Sequence, residues 1–278
     1  MKKILVSTDF SKHADYALKA AAEIAKKHNG ELVVVHMLGL TEAVVNRDES
    51  REVMEALYYM KLAEKRFEEY LDKSFLDGIK VQTTVQNYKV FTELGALAKE
   101  FSCDLIVMGS NGCTGWNEVF VGSNTEKVVR TSETPVLVIK DDQENFKINK
   151  VVFASDFKDE NLPAYYKAMK FFQTFDADVK LLYVHLPAEE FKSTYEIEER
   201  IVNFLSKSKL DDAHTINNVA FQNSYTVESG IFNYSNRVKA DVIAIPTHGR
   251  RGLAHFFSGS IGEDVVNHSK VPVITFKI

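Results

Sequence analysis

The residues best suited to chemistry are glycines and hydroxyl residues that follow an apolar run. Gly109 and Gly112 come first, and after nine intervening residues Gly122 is followed by Ser123. A glycine lets the backbone approach a ribose or a base closely, and it permits a positive φ where a loop turns. Ser123 and Glu126 form a capping box, which predicts that a helix begins here. Because N–H groups at a helix N-terminus bind phosphate oxygens, this spacing predicts a nucleotide site.

Taken singly, each of these residues is typical of an ordinary turn or helix cap. The same holds for Asp9, which follows Ser7 and Thr8 at the end of the first apolar run. Their placement is more specific. In an open parallel sheet, ligands bind beyond the carboxyl ends of the strands, and both stretches fall at such ends.

The elements that position these residues alternate between strand and helix. Apolar residues run on consecutive positions, which is typical of parallel strands covered on both faces. In the first half these runs are residues 4–6, 32–35, 81–85, 105–108 and 136–139. Between them, residues 16–27 carry an alanine-rich face with helical spacing. The pattern predicts an α/β fold with a doubly wound parallel sheet.

The chain also repeats itself. Residues 104–140 align without a gap with residues 241–277, and 14 of these 37 pairs are identical. The strand that opens the chain recurs at residues 150–157. The 278 residues therefore divide into two copies of one domain. The predicted boundaries are a first domain at 1–141, a polar linker at 142–147 and a second domain at 148–278.

Composition excludes several classes of protein. The net charge is −5, and neither half has the basic excess that binding along a nucleic-acid backbone requires. The two cysteines, Cys103 and Cys113, are too few for a disulfide scaffold. The N-terminal apolar run is too short for a secretory signal, and no stretch is long enough to span a membrane. We therefore expect a cytoplasmic protein without membrane or nucleic-acid partners.

The glycine spacing resembles the ATP-binding signature of the universal stress protein family, Gly-x2-Gly-x9-Gly followed by Ser or Thr. Thr8-Asp9-Phe10-Ser11 after the first strand and Val35-His36-Met37 at the end of the second also resemble this family. So does the last strand of the first half, residues 134–139. The resemblance covers nearly all of both halves.

The resemblance implies a five-stranded parallel sheet of order 3-2-1-4-5 in each domain. It also implies that adenine lies near Asp9 and Met37, and that Gly109 and Gly112 approach the ribose and phosphates. The helix start would hold the phosphates through N–H groups and a hydroxyl. The resulting nucleotide-binding set is Ser7, Thr8, Asp9, Met37, Met108, Gly109, Gly112, Gly122, Ser123 and Asn124. The expected ligand is ATP, with Mg²⁺ as a possible companion.

The second half departs from the signature. Pro246 stands where the first half has Gly109, and proline has no N–H and a bulkier ring. Four residues of the pattern remain, Asp156, Gly249, Gly259 and Ser260, and Arg250 and Arg251 bring positive charge to the loop. Two interpretations stay open: a degenerate structural domain, which we favour, or a site altered for another phosphate compound.

Other constellations predict less. Ser7, Asp9 and His36 resemble a catalytic triad only by co-occurrence, and the matching positions of His36 and His185 favour a role in packing or backbone bonding. The charged stretch at residues 56–70 is typical of a solvated helix, with a lid or a partner surface as the alternative.

The leading functional hypothesis is an ATP-binding regulator or sensor of the stress response. A slow ATPase or nucleotidyl transferase and a scaffold without a ligand are the rivals, and no catalytic residue is assigned. The apolar last strands, residues 136–139 and 273–276, are edge strands by the family's order and invite pairing. That pairing joins either the two halves or two chains of a homodimer.

Overall fold

The computed structural model describes residues 1–38, 49–86, 93–110, 123–187, 191–208, 215–247, 265–266 and 269–278. Contacts group the chain into two compact units. One unit is Met1–Val128 with Val136–Phe146, and the other is Val129–Pro135 with Lys147–Ile278. In the part of the chain that is described, no helix is both long enough and apolar enough to cross a membrane.

The first half is a parallel sheet with helices between its strands. The strands are β1 (Lys3–Thr8), β2 (Glu31–Met37), β3 (Val81–Gln86), β4 (Leu105–Gly109) and β5 (Val136–Ile139), in the order β3-β2-β1-β4-β5. The described helices are α1 (Lys12–His28), α2 (Glu49–Tyr70), α3 (Leu94–Glu100) and α4 (Ser123–Thr131). The predicted α/β fold and its 3-2-1-4-5 order are confirmed.

The second half repeats this order. Its strands are β6 (Lys150–Ala154), β7 (Asp178–His185), β8 (Val219–Asn223), β9 (Val242–Thr247) and β10 (Val273–Lys277), in the order β8-β7-β6-β9-β10. The described helices are α5 (Leu162–Gln173), α6 (Thr194–Ser208) and α7 (Val227–Val238). A short 3₁₀ turn, Asp159–Asn161, precedes α5.

The core of each sheet explains the consecutive apolar runs. In β1, Ile4, Leu5 and Val6 are all fully buried although neighbouring side chains point to opposite faces. Both faces are therefore covered, as the runs predicted.

Helix α1 begins four residues before the predicted start at 16, because Ser11 caps it. The Ser11 hydroxyl accepts a hydrogen bond from the Ala14 N–H at 3.3 Å. The buried face of α1 is mostly alanine, and these small side chains let the helix lie close to the sheet. At the other end, Asn29 adopts the left-handed conformation and ends the helix.

Helix α2 has two faces, and the predicted solvated helix at 56–70 describes only one of them. Ala63 and Phe67 are buried, whereas Met54 and Tyr58 are exposed. The helix also begins earlier, at Glu49. Its buried aromatic residue reaches the end of β1 and takes part in the site described next.

Candidate functional site

The end of β1 is a tight turn that fixes Asp9. The Phe10 N–H donates to the Thr8 hydroxyl at 2.9 Å, and the Ser11 N–H donates to Asp9 Oδ1 at 3.0 Å. Phe10 has a φ of 62°, in a region that non-glycine residues rarely occupy. The turn holds one carboxylate oxygen of Asp9 against the backbone at the start of α1.

Aromatic packing compensates for the unusual backbone of Phe10. Its ring lies 4.6 Å from His36, 5.2 Å from Phe67 and 5.2 Å from Tyr70, measured between centroids. The Arg66 guanidinium lies over the same ring at 5.6 Å. Helix α2 therefore packs against the turn that carries Asp9.

His36 bonds to the backbone, as the matching histidine positions predicted. Its Nδ1 lies 2.8 Å from the Thr8 carbonyl oxygen, so the Nδ1–H donates to that oxygen. Burial lowers the pKa of His36, against the opposing effect of this hydrogen bond. With its ring engaged in this way, His36 ties the end of β2 to the end of β1.

Gly109 ends β4 against the backbone of α1. A Cβ at this position would lie 2.7 Å from both the carbonyl carbon and the carbonyl oxygen of His13. The sequence suggested that this glycine makes room for a ligand. The structure gives a different reason for the missing side chain: the start of α1 occupies that space.

The backbone N–H of Gly109 points away from β5, toward the β1 side of the sheet. The Ser110 N–H donates to the Ile139 carbonyl in β5 at 3.0 Å. Since N–H directions alternate along a strand, the Gly109 N–H faces the β1 side. There the pairing of β1 with β4 has already ended at Val6 and Val107. This is the point where the strand order reverses, which is where open α/β sheets bind ligands.

Thr125 fixes the start of α4 beside this strand end. Its hydroxyl donates to the Gly109 carbonyl oxygen at 3.0 Å, and the residue is buried. The sequence analysis did not single out Thr125, although it lies two residues after Ser123. Its counterpart in the second half of the repeat is Gly262, which has no hydroxyl.

The remaining predicted residues divide into three groups. Ser7, Met37 and Met108 are buried strand residues close to the carboxyl edge. Ser123 is the first residue of α4, and Asn124 is exposed in its first turn. Gly112 and Gly122 lie outside the described residues. The described edge therefore brings together the ends of β1, β2 and β4 and the start of α4.

In the second half, the aspartate after the first strand is held by its own neighbours. Asp156 Oδ1 accepts from the Asn161 side-chain amide at 2.6 Å and from the Lys158 N–H at 3.1 Å. Its Oδ2 pairs with Lys158 Nζ at 2.9 Å. Asn161 is fully buried. The first half has Ser11 and Ala14 at the two matching positions, so neither an ammonium group nor a side-chain amide is present there.

Pro246 causes no loss within the sheet of the second half. Pairing of β6 with β9 ends at Phe153 and Ala244, two residues before the proline. The Ile278 N–H donates to the Thr247 carbonyl, so residue 247 faces β10 and residue 246 faces the β6 side. Proline therefore replaces an N–H that the ladder does not use. The second edge lacks the donor that Gly109 presents in the first.

Two further titratable side chains, Cys103 and His185, are held within the fold. Burial raises the pKa of the free Cys103 thiol to about 11, as expected for a buried cysteine. His185 Nε2 lies 3.0 Å from the Lys192 carbonyl oxygen, so its ring also bonds to the backbone. Among the residues that the structure describes, no group of three or more His, Cys, Asp or Glu is placed to hold a metal ion.

Comparison with known proteins identifies the family. The model of the universal stress protein family matches residues 1–140 and 147–277. Universal stress protein MJ0577 of Methanocaldococcus jannaschii is 33% identical over 153 residues, covering 50% of this chain and 94% of that protein. A universal stress protein structure from Archaeoglobus fulgidus DSM 4304 covers 99% of this chain and 96% of its own, with a TM-score of 0.68 and 20% identity.

A second Archaeoglobus fulgidus structure, a universal stress protein in complex with dAMP, covers 50% of this chain and 98% of its own, with a TM-score of 0.35 and 22% identity. The full-length likeness supports the fold, and the family model covers both halves. The chain therefore belongs to the universal stress protein family and carries two copies of its domain in tandem.

Proposed function

We propose that the first half binds ATP at its carboxyl edge and that the protein acts as a nucleotide-responsive regulator in the stress response. One observation carries the proposal. The Gly109 N–H faces the point where the strand order reverses, and Thr125 fixes the start of α4 beside it. A backbone donor and a helix N-terminus directed at one crevice suit an anionic ligand.

The chemistry of the edge fits an adenine nucleotide. The Asp9 carboxylate is an acceptor for the exocyclic amine of adenine, and the backbone at Met37 lies at the end of the neighbouring strand. Gly109, Gly112 and the start of α4 at Ser123 would then serve the ribose and phosphates. Mg²⁺ commonly binds through substrate phosphates and few protein ligands, so this proposal needs no dedicated metal cluster.

The second half fits a nucleotide less well, which supports a structural role. Asn161 and Lys158 occupy the Asp156 carboxylate, and Pro246 has no N–H to offer. We therefore propose one working site per chain. Binding of a different phosphate compound near Arg250 and Arg251 remains the alternative for this half.

The direct test is to denature the purified protein and identify the released nucleotide by mass. We expect one ATP per chain. Gly112→Val and Gly122→Val should abolish binding while the thermal unfolding temperature stays close to that of the wild type. Undiminished binding in both variants would show that the glycine signature does not form the site.

Regulation and catalysis differ in turnover. A phosphate-release assay with ATP and Mg²⁺ should give slow or no hydrolysis, because no general base has been assigned beside the phosphates. Rapid release of phosphate by the wild type, lost in Gly112→Val, would instead favour an ATPase.

The domain boundaries also stay proposals: 1–141, a linker at 142–147, and 148–278. Asp142 pairs with Lys19 at 2.7 Å and Phe146 is buried, so both ends of the linker are held. Limited proteolysis should cut the chain between Asp142 and Phe146.

We further propose that the protein is cytoplasmic and that its last strands pair. Sedimentation tests whether that pairing joins two chains.

A further inference from the structure

An open groove of about 690 Å³ lies between α6 and β8 in the second half. Its nine lining residues come from the outer face of the helix, the edge strand and the turn before that strand. They include Tyr195, Glu198, Glu199, Val202 and Phe221. Tyr195 is 73% exposed, Val202 49% and Phe221 44%. Contiguous apolar side chains that are exposed to this extent are typical of an interaction surface.

The groove runs beside backbone groups that can pair with another strand. Strand β8 ends the strand order of this half and pairs with β7. The Ser224 N–H donates to the His185 carbonyl at 3.1 Å. Because directions alternate, the N–H and C=O groups of Phe221 and Asn223 face away from β7. The Gln222 side chain donates to the Asn223 carbonyl at 2.9 Å, which agrees with an outward direction for that carbonyl.

The described edge strand of the first half has a polar residue at the matching position, although helix α2 of that half also exposes apolar side chains, among them Met54 and Tyr58. Thr83 in β3 pairs with the residue two positions before His36, and Phe221 in β8 pairs with the residue two positions before His185. Thr83 and Phe221 therefore occupy matching positions. An exposed threonine is ordinary at a sheet edge, whereas an exposed aromatic residue invites pairing.

Charge specifies what fits the groove. Its lining carries two carboxylates, Glu198 and Glu199, and no cationic side chain. Both are exposed, and within the described part of the chain neither has an ion-pair partner. We propose that β8 and α6 bind an extended peptide segment of a partner protein in which every second residue faces α6, and these facing residues are alternately apolar and cationic.

The peptide would add a strand to β8. Its backbone would pair with the outward groups of Phe221, and every second side chain would face α6. There the apolar side chains would pack on Tyr195 and Val202, and the cationic ones would meet the two glutamates. Strand addition of this kind takes affinity from main-chain hydrogen bonds and specificity from alternate side chains.

The probe is a fluorescein-labelled peptide, Thr-Val-Thr-Arg-Thr-Phe-Thr-Lys-Thr, whose apolar and cationic residues share one face, titrated with the full-length protein and followed by fluorescence anisotropy. We expect saturable binding. A peptide with glutamate at every cationic position should bind at least tenfold more weakly. So should one with N-methyl groups on alternate residues, because it cannot pair along one edge. Equal binding of all three peptides would overturn the proposal.

Charge reversal supplies the matched test. The double variant E198K/E199K should lose at least tenfold affinity for the cationic peptide and gain affinity for the glutamate peptide, while its thermal unfolding stays unchanged. Tyr195→Ser should weaken binding, and Tyr58→Ser, at the corresponding exposed position of α2, should not. Equal losses in the two tyrosine variants would contradict a site on the second half.

Two further outcomes would overturn the proposal. If sedimentation without peptide shows self-association that Phe221→Glu abolishes, the groove is occupied by a second copy of this chain. If E198K/E199K binds the cationic peptide as well as the wild type does, the carboxylates do not select the ligand.

Discussion

The fourth strand of each half ends differently, and the helix that faces this strand begins at a different position in the two halves. In the first half, α1 begins at Lys12, and the backbone of His13 fills the space where a side chain on Gly109 would lie. In the second half the matching residues form the 3₁₀ turn Asp159–Asn161, and α5 begins only at Leu162. A later helix start goes together with Pro246 at the strand end. Gly109 is thus a packing residue as well as a proposed ligand-binding residue.

The aspartates after the first strands show the same divergence. Both follow a strand, and both accept a backbone N–H two residues later. Only Asp156 also receives the buried amide of Asn161 and the ammonium of Lys158. The aspartate at the carboxyl edge of the second half is therefore held by a polar cluster of its own domain, although the strand order is the same in both halves.

The largest effect should follow from giving the first half a side chain at its strand end. Gly109→Ala should lower the free energy of unfolding by about 1–3 kcal/mol, because the Cβ meets the His13 backbone and neither can move freely. Denaturant titration measures this loss. Nucleotide affinity should fall as well, since the displaced strand end carries the N–H that faces the crevice.

The matched variant is Pro246→Ala in the second half, where the helix begins later. It should change the free energy of unfolding much less. If Gly109→Ala is as stable as the wild type, then α1 does not explain the glycine, and close approach of the ligand becomes the better reason for it.

The next effect concerns the carboxylates. Asp9→Asn keeps the oxygen that accepts the Ser11 N–H but removes the charge. A hydrogen bond to a charged group contributes about 1.5–3 kcal/mol, so ATP affinity should fall by roughly tenfold or more in calorimetric titration. Asp156→Asn should leave ATP affinity unchanged. A comparable loss in both variants would mean that the second half also binds ATP.

Consecutive apolar residues made the fold predictable, because a strand covered on both faces leaves that pattern in the chain. The repeat likewise located the change from Gly109 to Pro246. The spacing did not reveal that His13 approaches Gly109, since that contact depends on how closely an alanine-rich helix packs on the sheet. Thr125 was missed for a similar reason. A threonine inside a helix is unremarkable until its hydroxyl is found on a strand-end carbonyl.

A smaller effect is expected for the buried amide of the second half. Asn161→Ala removes the donor at 2.6 Å from Asp156 Oδ1, in a fully buried position, and makes the residue the same as Ala14 of the first half. Loss of a buried hydrogen bond to a charged group should cost about 1–3 kcal/mol, reduced here because Lys158 still contacts the carboxylate. Urea unfolding provides the measurement. An unchanged midpoint would show that this cluster is not what stabilises the edge of the second half.

The smallest effect is a pH dependence carried by His36. Burial lowers its pKa in the folded protein, while the Thr8 carbonyl and Asp9 act in the opposite direction and Arg66 acts with burial. Below its ordinary pKa of about 6.5, the unfolded chain binds this proton more readily than the folded one, so acid favours unfolding. The contribution is therefore fully present above about pH 6.5 and is lost as the pH falls toward the folded pKa.

His36→Gln should flatten the pH dependence of the unfolding free energy between pH 7.5 and 5.5. Burial also lowers the pKa of His28, so part of the slope should persist in that variant. An unaltered slope would mean that burial and the hydrogen bond to Thr8 cancel, so that His36 has the same pKa in the folded and the unfolded chain.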